Sequence, residues 1–414
     1  MSLDVNISEP DEFNCNELHS CIKEIVKLKH VEDFSYHVDY VCGKGENFIA
    51  NIFRVTINVK DEDKNFSVIV KTLINTTRQE LFHELHKREV IVYNEVIKKF
   101  TNIQESIDEG ERVILPECLY TRIEKANEVI ILEDLKEKGF EVDDRLASYE
   151  RLEYSQVSAV LKNLAKFHAL SFIYDKHYHE TFEEVKSKFG DIIFSNSFLN
   201  KSKLRDYFHD SFETSINLVD DLEVKRKLER VVPSLLKILQ QYTKTGDRNV
   251  LCHGDCWINN VMFQNEVSNT TKVCFIDFQA MRYANPATDI LHFIYLCTDS
   301  AFRSAYFEDL LNDYYANLTS FLKLFDIEVN SVYTRENFNS DIEEMKAYGL
   351  IMALIEMKLV TTSSEDEAVL RESTLVLSEG NDDYYKLRIN DVESVAKKIK
   401  CVQGVLNFNV QCIE

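Results

Sequence analysis

One block, residues 251–278, constrains this chain more than any other stretch. It reads Leu251-Cys252-His253-Gly254-Asp255-Cys256-Trp257-Ile258-Asn259-Asn260-Val261-Met262-Phe263 and, after a polar turn, Val273-Cys274-Phe275-Ile276-Asp277-Phe278. An aspartate and an asparagine stand five positions apart between two short apolar runs, and a buried-strand pattern then ends in a second aspartate. Phosphoryl transfer from a nucleotide uses such a set. One carboxylate accepts or orients the acceptor hydroxyl, while an asparagine and a second carboxylate hold Mg²⁺ on the phosphates. This assigns Asp255 as base, with Asn260 and Asp277 as metal ligands. Cys252, His253, Asp255 and Cys256 also invite a zinc reading, but structural zinc sites pair ligand clusters and no Cys/His knuckle stands near enough to complete one.

The chain upstream supplies partners for that set. Residues 17–31 read as an amphipathic helix, with Leu18, Ile22, Ile25 and Val26 at helical spacing. Gly43 and Gly45 then fall between extended runs, a turn whose backbone N–H groups would also suit phosphates. Phe53, Val55, Ile57 and Val59 alternate as a half-buried strand, and Phe66, Val68 and Val70 start the next, which carries Lys71 among apolar neighbours. A helix is expected from about residue 77 to 100, with Leu81, Leu85, Val92, Val96 and Phe100 as its apolar stripe. Glu89 sits on that stripe. Burying a carboxylate unpaired is costly, so Glu89 either reaches solvent at the rim or meets a cation, for which Lys71 is the candidate.

Two further strands, 113–123 and 129–132, are expected, broken at Pro116. The second runs into Glu133-Asp134-Leu135-Lys136-Glu137-Lys138-Gly139-Phe140, a charged, glycine-ended segment with the look of a hinge between lobes. Its backbone at Glu133 and Leu135 would face an adenine ring. Beyond it the pattern is helical: a helix through Val157, Leu161 and Leu164 to His168, more helix over 203–244 interrupted near Pro233, and helices at 302–325, 341–361 and 390–401. His168 lies on an apolar side and reads as a buried, hydrogen-bonded histidine. Asp289 either N-caps the helix that follows it or braces the block at 251–263. Phe194, Phe198, Tyr207, Phe208 and Phe212 crowd one segment, as core or as the wall of an acceptor pocket.

Length and charge bound the rest. A chain of 414 residues exceeds one typical domain and suits two lobes. A net charge of −22 argues against nucleic acid or an anionic membrane surface as the main partner. The ten cysteines are scattered without a CxxC pair, which suits free thiols in a reducing cytosol. Residues 1–16 are polar and acidic, unlike a signal peptide, and no run approaches the roughly 18 apolar residues of a membrane span.

The assembled blocks resemble the insect ecdysteroid kinase-like family, a choline-kinase-like group with the protein-kinase-like fold. The likeness is carried by Val70-Lys71-Thr72-Leu73, by Glu89-Val90-Ile91-Val92-Tyr93 and by Ile131-Leu132-Glu133-Asp134-Leu135 with Gly139-Phe140. It continues through His253-Gly254-Asp255 with Trp257, Asn259-Asn260 and Met262-Phe263, and through Ile276-Asp277-Phe278-Gln279 with Arg282, Pro286 and Asp289. The resemblance implies a two-lobed α+β fold. Residues 1–134 would form an N-terminal helix and a nucleotide-binding lobe of antiparallel sheet with one long helix, and 135–414 a helical lobe with the acceptor site. It implies ATP and Mg²⁺ as cofactors, with Lys71 and Glu89 paired to position phosphates. The expected reaction is phosphorylation of a hydroxyl on a steroid or xenobiotic alcohol, by a cytoplasmic monomer without nucleic acid or membrane partners. Two departures matter. Gln279 replaces the glycine of protein kinases, so activation-loop regulation does not transfer, and the glycine loop is poor. The competing expectations are a choline or ethanolamine kinase, which needs a carboxylate and an aromatic cage, and a pseudokinase-like binding module that would have lost Lys71, Asp255, Asn260 or Asp277.

Overall fold

Alternation with a period of two builds the first third of the molecule. The computed structural model describes residues 15–31, 33–41, 50–59, 65–73, 79–125, 127–142, 152–202, 204–265, 271–361 and 385–391. Helix α1 (Cys15–Leu28) precedes strands β1 (Phe34–Tyr40), β2 (Ala50–Val59) and β3 (Phe66–Leu73). Helix α2 (Gln79–Ile91) runs through a π-helical segment, Val92–Ile97, into α3 (Lys98–Gln104), and strands β4 (Cys118–Arg122) and β5 (Val129–Glu133) follow. The five strands pair antiparallel in the order β1-β2-β3-β5-β4. Phe53, Val55, Ile57, Val68, Val70, Val129 and Ile131 share one face and pack under Leu18, Ile22, Ile25 and Val26 of α1. Successive side chains on a strand point to opposite faces. Lys71, next to Val70 and paired with Ile130, therefore turns to the other face.

The strand expected at 113–123 is shorter than its apolar run. Pro116 has no N–H for the ladder, so pairing as a strand begins only at Cys118, and Ile114 makes a lone bridge to Cys274. After β5, Asp134 caps a 3₁₀ turn, Leu135–Lys138, by accepting from the Lys136 N–H, and Gly139 ends it at φ 78°. That positive φ suits glycine.

The remainder is helical around two small sheets. Strand β6 (Glu141–Val142) is followed by helices α4 (Tyr154–His177), α5 (His179–Lys186), α6 (Asn196–Lys201), α7 (Leu204–Asn217), α8 (Leu222–Glu229) and α9 (Leu235–Tyr242). Then come β7 (Val250–Cys252), β8 (Val261–Asn265), β9 (Thr271–Phe275) and β10 (Arg282–Ala284), and helices α10 (Ala287–Cys297), α11 (Ser300–Lys323) and α12 (Arg335–Thr361). Strand β7 pairs with β10, and β8 lies between β6 and β9. Every residue of α10 is buried, as expected of a helix apolar on all sides. Phe194, Phe208 and Phe212 belong to the main core and Phe198 is buried as well, while Tyr207 is partly exposed. Of the helix expected at 390–401, only residues 390 and 391 are described, within a helical segment at 385–391, and 392–401 lie outside the described residues. The result is the two-lobed, kinase-like α+β architecture, an antiparallel sheet with its long helix above a mainly helical body. Among the described residues no helix is long and apolar enough to cross a membrane.

Candidate active site

Lys71 emerges from β3 into the space between sheet and helix. Its Nζ lies 2.7 Å from Glu89 Oε2 on α2 and 2.7 Å from Asp277 Oδ1 just past β9. Lys71 is 6% and Glu89 1% exposed, so neither is a rim residue. Burial by itself lowers the pKa of the Lys71 ammonium; the charges of Asp277 and Glu89 reverse this and hold it above the ordinary lysine value. Burial likewise raises the Glu89 carboxyl, and the adjacent ammonium restrains that rise.

The loop at 253–260 is fixed from behind. Asp289 on α10 accepts the His253 N–H at 2.6 Å and the Gly254 N–H at 3.0 Å. His168, fully buried, donates from Nε2 to Asp289 Oδ2 at 3.2 Å and accepts the Tyr314 hydroxyl at Nδ1 at 2.8 Å. Pro286, not Asp289, occupies the N-cap of α10, which decides between the two roles left open for Asp289: it braces the loop. Burial opposes ionisation of Asp289, yet the His168 hydrogen bond and the nearby charge of Arg282 pull its pKa down to about 2. His253 is held neutral by burial, with Nε2–H donating to the Ile276 carbonyl at 2.9 Å and Nδ1 accepting from the Asp255 N–H at 3.3 Å. Gly254 has φ 86°, and a Cβ there would sit 2.0 Å from the Ala280 carbonyl oxygen.

Asp255 therefore emerges from a loop with little freedom. Asn260 Nδ2 donates to its Oδ2 at 3.0 Å and to its backbone oxygen at 2.9 Å. Burial, and next the charge of Glu356, push the Asp255 carboxyl up to about 7. The β8–β9 ladder brings the metal-ligand candidates together: Val261 pairs with Phe275, and the Ile276 N–H donates to the Asn260 carbonyl at 3.0 Å. Asp277 follows at φ 62°, a left-handed conformation unusual outside glycine. Asn260 commits its amide nitrogen to Asp255, which leaves its side-chain oxygen for a ligand. With the Asp277 carboxylate this gives an all-oxygen donor set of the kind Mg²⁺ takes, so the residues fit the ion.

Of the remaining candidates, Leu135 is buried with Phe140, Met262 and Cys274, against Ile114 and Ile276, as an apolar patch beside the 3₁₀ turn. Glu133 receives the Glu117 N–H at 3.0 Å and pairs with Lys138. Gly43 and Gly45 lie outside the described residues.

Two groups escaped the sequence reasoning. Arg88, beside Glu89, donates to the Met281 carbonyl at 2.6 Å and the Gly190 carbonyl at 2.9 Å. Close to Asp255, His292 of α10 lies 2.5 Å from Glu356 of α12. The signal for Glu356 was present: it interrupts the apolar run 350–357, the same kind of signal that singled out Glu89.

A sheet lysine shared between a helix glutamate and a strand-end aspartate, above a braced His-Gly-Asp loop, defines a kinase-like phosphotransferase. The chain belongs to the ecdysteroid kinase-like family, whose model matches residues 44–327, more than half of its length. No curated protein matches it in sequence. Among solved structures it is similar to Plasmodium vivax ethanolamine kinase, at 13% identity over 89% of this chain and 83% of that one, with a TM-score of 0.39. It is also similar to wild-type aminoglycoside 2'-phosphotransferase-IIIa in its GDP complex, at 13% identity over 92% and 99% of the two chains with a TM-score of 0.40. A glucosamine kinase in complex with glucosamine, ADP and inorganic phosphate gives 11% identity, 94% and 87% coverage and a TM-score of 0.38.

Proposed function

We propose that this chain transfers the γ-phosphate of ATP to a hydroxyl of a bulky small-molecule alcohol, with an ecdysteroid as the leading acceptor. The observation that carries the reading is the position of Lys71 Nζ, 2.7 Å from both Glu89 and Asp277. Glu89 fixes the ammonium where it can meet the α- and β-phosphates. The hinge backbone at Glu133 and Leu135, over the patch of Leu135, Met262 and Cys274, takes the adenine. Asn260 and Asp277 would hold Mg²⁺, which when bound neutralises charge on the phosphates. Asp255, oriented by the Asn260 amide, receives the proton of the acceptor hydroxyl, and a pKa near 7 suits a base that works near neutral pH. Family membership supports the steroid-sized acceptor. Cys21, Cys118, Cys252, Cys256, Cys274 and Cys297 are free thiols, in keeping with a cytoplasmic setting.

The test is ADP release from ATP and Mg²⁺ with ecdysteroid, plant-alcohol and choline acceptors at fixed nucleotide. The expected result is turnover with a higher kcat/KM for the ecdysteroid than for choline. A clear preference for choline would replace the steroid acceptor and leave the phosphotransfer chemistry in place. Failure to release ADP with every acceptor would end the kinase reading.

A further inference from the structure

Asp255 does not face the acceptor side alone. The side-chain donor atoms of Asp255, His292 and Glu356 lie within 4.8 Å of one another. His292 is 1% exposed, its Nε2 lies 2.5 Å from Glu356 Oε2, and its Nδ1 has no partner among the described residues. Glu356 thus supplies the ring's polar anchor and is itself held in one place. Its side chain remains 19% exposed, and Asp255 is likewise partly open. Two carboxylates fixed this close repel each other. One imidazole cannot satisfy all their acceptor lone pairs, since each ionised carboxylate offers about four. Tyr207 stands near the same carboxylate: burial raises its phenol first, and the Glu356 charge adds to the rise. The Asp255–Asn260 contact is already explained by the phosphotransfer machinery, whereas the opening of Glu356 beside the base is not.

We propose that Glu356, positioned by His292, is a specificity-determining acceptor contact, so that the preferred substrate carries a second hydrogen-bond donor, hydroxyl or ammonium, next to the hydroxyl that Asp255 deprotonates. This rests on the kinase reading and deepens it. An acceptor with adjacent donors spans the two carboxylates, with the reacting hydroxyl on Asp255 and its neighbour on Glu356. Lone alcohols leave the Glu356 oxygen that His292 does not engage without a donor in a half-buried site, and unmet charged acceptors are costly. The site thereby favours vicinal diols and vicinal amino alcohols over isolated hydroxyls.

The experiment compares one steroid frame bearing a single hydroxyl, a vicinal diol or a vicinal amino alcohol, with wild type, Glu356→Gln and Glu356→Leu. The readouts are kcat and KM from ADP release, with ATP affinity and the unfolding midpoint as controls on folding. Wild type should favour the two-donor acceptors by about tenfold or more in kcat/KM, the worth of a hydrogen bond to a charged group. Glu356→Gln keeps one oxygen for His292, removes the charge, and turns an NH₂ toward the acceptor, from which a hydroxyl oxygen but not an ammonium can accept a hydrogen bond. It should collapse the preference for the amino alcohol by about tenfold while retaining most of the preference for the diol, and Glu356→Leu should collapse both. The loss should fall mainly on KM. If Glu356 only anchors His292, all three acceptors decline together and the preference ratio stays as in wild type, which overturns the proposal. Wild type that turns over the acceptors without favouring two donors overturns it equally. Absence of turnover with every acceptor overturns the kinase reading, and this one with it.

Discussion

Asp255 and Gly254 are neighbours with opposite demands. In the proposed reaction Asp255 presents its carboxylate to a substrate, while Gly254 keeps the loop folded against the segment after Asp277. Replacing Asp255 by Asn preserves shape and the Asn260 contact in outline but removes the base. We expect kcat to fall at least about a hundredfold with ATP affinity and the unfolding midpoint near wild type; activity close to wild type would remove Asp255 from its role. Gly254→Ala should act differently. At φ 86° a side chain is strained, and its Cβ would lie 2.0 Å from the Ala280 carbonyl oxygen, a backbone atom that cannot simply rotate away. A loss of about 1–3 kcal/mol in denaturant unfolding, together with lost activity, is the expected result. Asp255, Asn260 and Asp277 could be singled out as candidates because their spacing is local, and the Glu89 pairing because a carboxylate on an apolar stripe demands a partner. The reason for Gly254 was not legible, since the atom that forbids a side chain is 26 residues away in sequence. Glu356 was missed although it carries the same signal as Glu89, because its partner His292 lies on another helix and no periodicity connects the two.

Elements place those residues, and two pairs of elements matter most. Strand β3 and helix α2 meet through Lys71 and Glu89, both nearly inaccessible. In a double-mutant cycle, Lys71→Met and Glu89→Gln should be strongly non-additive in kcat/KM for ATP, because either change alone already breaks the shared ion pair. Additive effects would mean that the two act separately. Helix α10 and the loop meet through Asp289, whose folded pKa of about 2 lies below the ordinary 3.8. As pH falls through that window the unfolded chain binds the proton first, so stability present in full above about pH 4 is lost toward pH 2. The contribution is on the order of 2 kcal/mol. Urea unfolding followed against pH should therefore show a shallower acid decline for Asp289→Asn than for wild type between pH 4 and 2, on a lower plateau at neutral pH. Parallel curves would show that Asp289 is not the group responsible. Strand alternation and helix stripes were readable ahead of the structure. The π-helical segment Val92–Ile97 after Glu89 was not, since its apolar residues fit an ordinary helix equally well.

At the scale of the whole molecule, the cores do not follow the sheet. One apolar cluster lies between α1 and one face of the sheet. The main cluster takes in Val92, Tyr93, Val96 and Phe100 from the long helix together with α4, α10, α11 and α12. The long helix is thus shared between the two lobes, and composition and periodicity alone could not assign it. Arg88 reinforces that sharing. From α2 it reaches the Met281 and Gly190 carbonyls of the helical body, with its guanidinium 5.0 Å from the centre of the Phe189 ring. Burial lowers its pKa to about 10, opposed by Asp191, so it stays charged at neutral pH. Arg88→Leu would keep apolar bulk but strand two carbonyls, at a cost of about 1–3 kcal/mol for each left unsatisfied. The chain's single tryptophan, Trp257, lies in the loop at 253–260 and reports on the helical body, while far-ultraviolet circular dichroism reports on both lobes. In wild type the two probes should trace one urea transition. In Arg88→Leu the midpoint should fall and the two curves should separate, as they do when cooperativity between parts of a chain is weakened. Coincident curves at the wild-type midpoint would show that the lobes are coupled through the shared apolar core, with no measurable share for Arg88.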